Sequence, residues 1–252
     1  MSRPYILVSN DDGVEAPGIK FLVETLRSVA DLLVVAPDSP RSGFGCSITA
    51  MHPINYKILR EEPGLKICSC SGTPTDCIKL ALNVFTDRKP DLVVAGINHG
   101  DNSSVNVHYS GTMGAVTEGA LQGYPAVAFS LCDHRENADF APLRPYLIDF
   151  VFKAIAIGLP PFTCLNINFP RREKFEGVRI CRMARSRWQN ELEHRKHPYG
   201  GDYFWLVGNC EELEPEAEDT DRWALAHGYV AVTPTQLDVT ATGLVDILKS
   251  VM

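Results

Sequence analysis

The chain lacks an apolar run long enough to cross a membrane as a helix. Its most apolar later stretch, 147–159, is broken by Asp149 and Lys153 and falls short of the roughly 20 residues that a span requires. The opening run from Tyr5 to Val8 is too short for the core of an export signal. The expectation is a soluble, cytoplasmic protein with no membrane partner. Positive charge is also scarce: 24 Lys and Arg stand against 31 Asp and Glu, a formal net charge of −7. Recognition of a nucleic-acid backbone depends on clustered cations, so a polymeric nucleic acid is excluded as a partner. A small phosphorylated ligand is compatible, because a few local dipoles and one cation suffice to hold it.

Several catalytic signatures are missing too. No Gly-x-Gly-x-x-Gly follows the first strand, and no Gly-x-x-x-x-Gly-Lys-Ser/Thr occurs, which argues against dinucleotide and nucleoside-triphosphate cradles. His-Glu-x-x-His is absent, and Ser130 ends a strand without the Gly-x-Ser-x-Gly elbow of a hydrolase triad. The pair Asp11-Asp12 is adjacent, not Asp-x-Asp, which speaks against a phospho-aspartate mechanism. Eight cysteines are present, but Cys68, Cys70, Cys164 and Cys181 sit in apolar, strand-like runs of a chain large enough to need no disulfide staples. Cys68 and Cys70 have one residue between them, too few for a zinc knuckle.

What is there is a rhythm of short apolar runs and longer amphipathic ones. Segments 5–9, 32–36, 65–70, 91–96, 126–130 and 163–167 read as strands, and their nearly continuous hydrophobicity means burial on both faces. Helical spacing follows the first strand in Ile19, Leu22, Val23 and Leu26, with Pro17 in the first turn. Thr73-Pro74-Thr75-Asp76 resembles a capping box, and further helices are expected over 112–122 and 145–157. The fold class is therefore α/β, a doubly wound, mostly parallel, Rossmann-like sheet. Beyond Pro170 the rhythm changes, with strands expected over 178–183, 203–207 and 229–233 and no long helix between them. The polar stretch 185–202 and the acidic stretch 211–221 read as hairpin arms, so that 1–252 form one domain with an oligomerisation arm over 185–225.

In open α/β sheets ligands bind beyond the carboxyl ends of the strands. Three polar loops lie there: Ser9-Asn10-Asp11-Asp12-Gly13, Arg41-Ser42-Gly43, and the segment from Gly96 through Asn98 to Asn102. Two adjacent carboxylates repel unless a cation sits beside them, and with amide and hydroxyl oxygens they suit Mg²⁺, Mn²⁺ or Ca²⁺. As a lone motif, Asp-Asp-Gly reads equally as a turn or a helix cap. Tyr109-Ser110-Gly111-Thr112 precedes a helix and would turn backbone amides toward an anion, although Ser-Gly-Thr is also an ordinary helix start. Tyr109, Tyr199, Tyr203 and Trp205 suit an arm or core as well as they suit stacking on a base.

Together these segments resemble the stationary-phase survival protein E (SurE) family of nucleotidases. The likeness runs through residues 6–13 with Ala16-Pro17-Gly18, residues 35–38 with Arg41-Ser42-Gly43, residues 72–77, Gly96-Ile97-Asn98 with Gly100 and Asn102, residues 109–112, and residues 229–234. The resemblance implies a metal-dependent phosphomonoesterase acting on nucleoside 5′- and 3′-monophosphates. It implies one divalent cation, Mg²⁺ or Mn²⁺, held by Asp11, Asp12, Ser42 and Asn98, with Asp11 or Asp12 handling the attacking water. Asn10, Gly43, Asn102, Ser110, Gly111 and Thr112 would surround the phosphate, and the C-terminal arms would join a homodimer or homotetramer. The segment 103–108 departs from the commoner Leu-Gly-containing version of its loop. The competing expectations are a nucleotide- or phosphate-binding module without turnover, and a structural assembly protein.

Overall fold

The alternation of buried residues along each apolar run builds two cores at once. A computed structural model describes residues 3–86, 88–135 and 137–252. Strands β1 (Tyr5–Ser9), β2 (Asp31–Pro37), β4 (Leu65–Cys70), β5 (Leu92–His99), β6 (Ala126–Leu131) and β7 (Thr163–Phe169) occupy the six expected positions. Successive side chains of a strand point to opposite faces. Ile6, Val8, Leu32, Val34, Leu92 and Val94 therefore pack on one side, beneath helices α1 (Pro17–Leu26) and α4 (Arg144–Ile157). Leu7, Leu33, Val35, Val93 and Ala95 pack on the other, beneath α2 (Pro74–Leu80) and α3 (Gly111–Leu121). The expected capping box is present: Thr73 Oγ1 accepts from the Asp76 amide, and the Asp76 carboxylate accepts from the Thr73 amide.

Three further strands complete a nine-stranded sheet of order β3-β4-β2-β1-β5-β6-β7-β13-β8. The six central strands are parallel to one another. Strand β3 (Tyr56–Glu62) runs antiparallel to β4, and β13 (Val230–Gln236) antiparallel to β7, with β8 (Val178–Ile180) alongside β13. Strand β3 is not among the strands read from sequence. It is an edge strand exposed almost throughout, and Lys57, Arg60, Glu61 and Glu62 hide it from a reading that looks for apolar runs.

The chain passes from β1 to β2 and β4 on one side, then crosses back to β5 on the other side of β1. The crevice between the carboxyl ends of β1 and β5 is the switch point where such sheets accept ligands. Gly18 allows α1 to close on this point, since a Cβ there would stand 2.0 Å from the Ile97 carbonyl oxygen.

The C-terminal third holds a ribbon. Strands β9 (Ser186–Gln189) and β12 (Asn209–Glu212) pair at its root, and β10 (Leu192–Lys196) and β11 (Asp202–Leu206) pair toward its tip. The ribbon is shorter than the arm expected over 185–225. Segment 213–219 turns back to the body, where Arg182 pairs with Glu214 and Asp219. Residues 221–226 form a helix, α5 (Asp221–Ala226), capped by the Thr220 hydroxyl, which accepts the Trp223 amide, and anchored by buried Asp221, which accepts amide hydrogens from Ser104, Ala184 and Arg222. A last helix, α6 (Thr242–Val251), has no buried residue. No helix among the described residues is long and apolar enough to cross a membrane.

Candidate active site at the sheet switch point

The site begins with the residues that end β1. Asn10 is fully buried and donates from Nδ2 to the Gly13 carbonyl at 2.9 Å, fixing the turn in which Gly13 adopts a φ of +100°. That turn brings Asp11 and Asp12 out side by side. Asp11 is 3% exposed, and its Oδ1 accepts the Thr112 hydroxyl at 2.5 Å. Burial pushes the Asp11 carboxyl up to about 6, with the Asp12 charge adding to the rise and the Thr112 hydroxyl opposing it. Asp12 is likewise raised by burial, against the pull of the His99 amide, which donates to its Oδ2 at 3.2 Å. Two neighbouring carboxylates, both raised, form a site that gains by binding either a proton or a cation.

A second wall comes from α3. Ser110 is its N-cap and accepts the Met113 amide at 3.0 Å. The next residue must be glycine, because a Cβ on Gly111 would lie 2.7 Å from the Asp11 Cβ and 3.0 Å from its Oδ2. The positive end of α3 thus rests directly on Asp11, where a helix dipole favours negative charge.

The third wall is the end of β5. Asn98 commits its Nδ2 to the Gly100 carbonyl at 2.8 Å, leaving Oδ1 as the atom open to a ligand. Asn102 is held by a buried amide chain: its backbone N–H donates to Asn168 Oδ1, its carbonyl accepts from Asn166 Nδ2, and its own Nδ2 donates to Ser130 Oγ, each at 2.8 Å. Asn168 in turn donates to Asn166 Oδ1 at 2.8 Å. Such a chain fixes the direction of every amide in it.

These walls enclose a cavity of about 650 Å³, within the ordinary range for small-ligand sites. Of the residues expected from sequence, Asp11, Ser42, Gly43, Asn98, Asn102 and Ser110 line it directly. Asp12 adjoins it through the His99 amide. Asn10, Gly111 and Thr112 stand behind this lining and shape Asp11 instead of facing the cavity. No group of three or more His, Cys, Asp and Glu side chains gathers among the described residues. A cation here would be held by two carboxylates and neutral oxygens.

The ribbon residues of the far wall were not read from sequence as site residues. Trp188, Glu191, Leu206, Val207 and Gly208, from the root of the ribbon, complete the cavity with Asn106, Tyr109 and His134. The family model described as Survival protein SurE matches residues 6–190. The chain belongs to the SurE family. It is 54% identical over 248 residues to the 5′-nucleotidase SurE of Phocaeicola vulgatus, spanning 98% of this chain and 96% of that protein. Against the 5′-nucleotidase SurE of Porphyromonas gingivalis it is 38% identical, spanning 98% and 96%. The crystal structure of the SurE protein from Aquifex aeolicus has the same fold, with a TM-score of 0.83 at 35% identity, spanning 98% of this chain and 99% of that one.

In this SurE chain the aromatic residues named from sequence divide sharply. Tyr109 lines the cavity, while Tyr203 and Trp205 sit on the outer ribbon and Tyr199 at its tip. Trp188 carries no pattern that marks it as a site residue, because its place depends on how the ribbon folds back.

Proposed function

We propose that this chain is a 5′-nucleotidase, a phosphomonoesterase that hydrolyses nucleoside 5′-monophosphates to nucleoside and phosphate, and that it also accepts 3′-monophosphates. The observation that carries the reading is the floor of the cavity. Asp11, Ser42 and Asn98 meet there with Asp12 beside them and the start of α3 behind. The named activity of the 54% identical relative supports it independently.

The donor set fits one divalent cation, Mg²⁺ or Mn²⁺. Asp11 has its Oδ1 engaged by the Thr112 hydroxyl, and Asn98 has its amide oxygen open. Burial holds both carboxylates above their ordinary range, a cost that a bound cation would offset. When bound, a divalent cation polarises the phosphoryl group and lowers the pKa of water.

The protein's own groups supply the remainder. Asp11 orients the attacking water, with Thr112 fixing the carboxylate and Gly111 letting the helix approach it. Ser110, Gly43 and Asn102 line the cavity and would receive the phosphate, with the dipole of α3 steadying the charge that grows on its oxygens. Asn10, Gly111 and Thr112 act at one remove, by holding Asp11.

The reading extends to a single-domain cytoplasmic enzyme working as a homodimer or homotetramer. All eight cysteines are free, as a reducing compartment keeps them, and the ribbon carries exposed apolar side chains for contact between copies.

The test is phosphate release from AMP, GMP and their 3′ isomers, with Mg²⁺, with Mn²⁺ and with excess chelator. Release that requires a cation and is fastest on a 5′-monophosphate is expected. Tight nucleotide binding with no release under any cation would instead make the chain a binding module.

A further inference from the structure

The cavity has two chemically different ends. The floor presents carboxylates, hydroxyls and amides, whereas the far wall presents the Trp188 indole with Leu206 and Val207, and the Glu191 carboxylate at the same end. Phosphate is repelled by Glu191 and gains nothing from an indole. A nucleobase gains from both, since an aromatic face stacks any base and a carboxylate accepts from base N–H groups.

The far wall is built to hold that geometry. Trp188 donates from Nε1 to Asn106 Oδ1 at 3.1 Å, which ties the indole to the loop that follows the floor residues Asn98 and Asn102. The same loop is clamped to the ribbon root by the Ser104 and Ser186 hydroxyls, 2.7 Å apart, and by Asp221, which receives the amides of both Ser104 and Ala184. The Trp188 ring contacts no other aromatic ring among the described residues, whereas Trp205 meets Tyr203 edge-on and Trp223 stacks on His227 and Tyr229. Between the two ribbon ladders the pairing is interrupted, with Asn190 at φ +53° and Gly208 at φ +126°. Interruptions of this kind bend a ribbon and re-aim its side chains. Here Glu191, Leu206 and Val207 sit at the break and line the cavity.

Resting on the nucleotidase reading, we infer that the ribbon root is the nucleobase subsite, with Trp188 as the stacking platform and Asn106 as the residue that positions it. The ribbon thereby makes this fold selective for nucleotides over other phosphate esters.

The experiment compares wild type, Trp188→Phe and Trp188→Ala on AMP and on ribose 5-phosphate, which carries the same ester without a base. For Trp188→Ala, kcat/KM on AMP falls roughly 5- to 150-fold, mainly through KM. On ribose 5-phosphate it stays within about twofold, which also shows that the variant is folded. Trp188→Phe recovers most of the loss. Equal losses on both esters would reduce Trp188 to a structural role, and no loss on AMP would overturn the subsite.

Binding provides a readout that does not depend on turnover. AMP quenches the indole emission of wild type but not of Trp188→Phe, and ribose 5-phosphate quenches neither. If wild type hydrolyses nothing yet shows this quench, the nucleotidase reading fails and the base subsite stands. If it hydrolyses AMP with no Trp188-dependent quench, the subsite fails and the nucleotidase reading stands.

Discussion

Asp11 is the residue on which stability and function pull in opposite directions. Its carboxyl is raised to about 6 by burial first and by Asp12 second, so at neutral pH the metal-free fold carries a charge it would be more stable without. In the unfolded chain the group titrates near 3.9. Between that value and 6 the folded state binds the proton more tightly, so stability is highest below about pH 4 for this group and falls as pH rises through 6. The loss amounts to about 3 kcal/mol at most. Thermal unfolding of the metal-free protein is expected to show a component of destabilisation between pH 4 and 7. Mn²⁺ is expected to reverse it at pH 7.5 and have little effect at pH 4.5, because the cation competes with the proton. A melting temperature that Mn²⁺ raises equally at both pH values would place the cation elsewhere.

Gly111 gives a second prediction at this scale. A methyl group there meets Asp11 at 2.7 Å, so Gly111→Ala is expected to push the carboxylate out of place. Activity on AMP should drop on the order of 100-fold while far-ultraviolet circular dichroism is unchanged. Loss of folded structure would mean that the contact is needed for the fold itself.

Among the elements, the six buried strands and the helices between them were legible because alternation and continuous hydrophobicity both encode two-sided burial. Thr73 to Asp76 was legible for a local reason, a capping box being a matter of three-residue spacing. Strand β3 and the root and outer ladders of the ribbon were only partly legible or not at all. The side chains of β3 and the outer ladder are largely exposed and those of the root are half-buried, so pairing partners and not burial define them. The floor of the site was legible because its loops lie next to strand ends in sequence. Trp188 and Glu191 were not, since they reach the cavity through a fold-back from residues about 90 positions beyond Asn98 and Asn102. The packing of α1 on β5 provides a test at the element scale. Gly18→Ala would set a methyl 2.0 Å from the Ile97 carbonyl oxygen. It should cost about 1–3 kcal/mol or more in chemical denaturation, and an unchanged midpoint would show that α1 moves freely there.

At the scale of the whole molecule, two features have little to pack against within one chain. The outer ribbon exposes Leu192, Phe204 and Trp205, the last at 61%, and α6 exposes Leu244, Ile247, Leu248 and Val251. Exposed apolar groups gathered in this way mark contact surfaces, which is what the proposed homodimer or homotetramer would use. Removing residues 193–205 behind a short turn should lower the mass seen by light scattering while leaving Trp188, Glu191 and Val207 in place. An unchanged mass would assign assembly to α6 or to another face.

The molecule as a whole is a sheet whose switch point carries two mutually repelling carboxylates against a helix N-terminus. This arrangement suits phosphate-ester hydrolysis. Its most direct test is the rate of phosphate release from AMP by Asp11→Asn at saturating Mn²⁺, with the metal-free melting temperature measured alongside. The rate is expected to fall on the order of 10²- to 10⁴-fold in a protein at least as heat-stable as wild type, because the buried charge is gone. A variant that hydrolyses AMP within tenfold of wild type would contradict it.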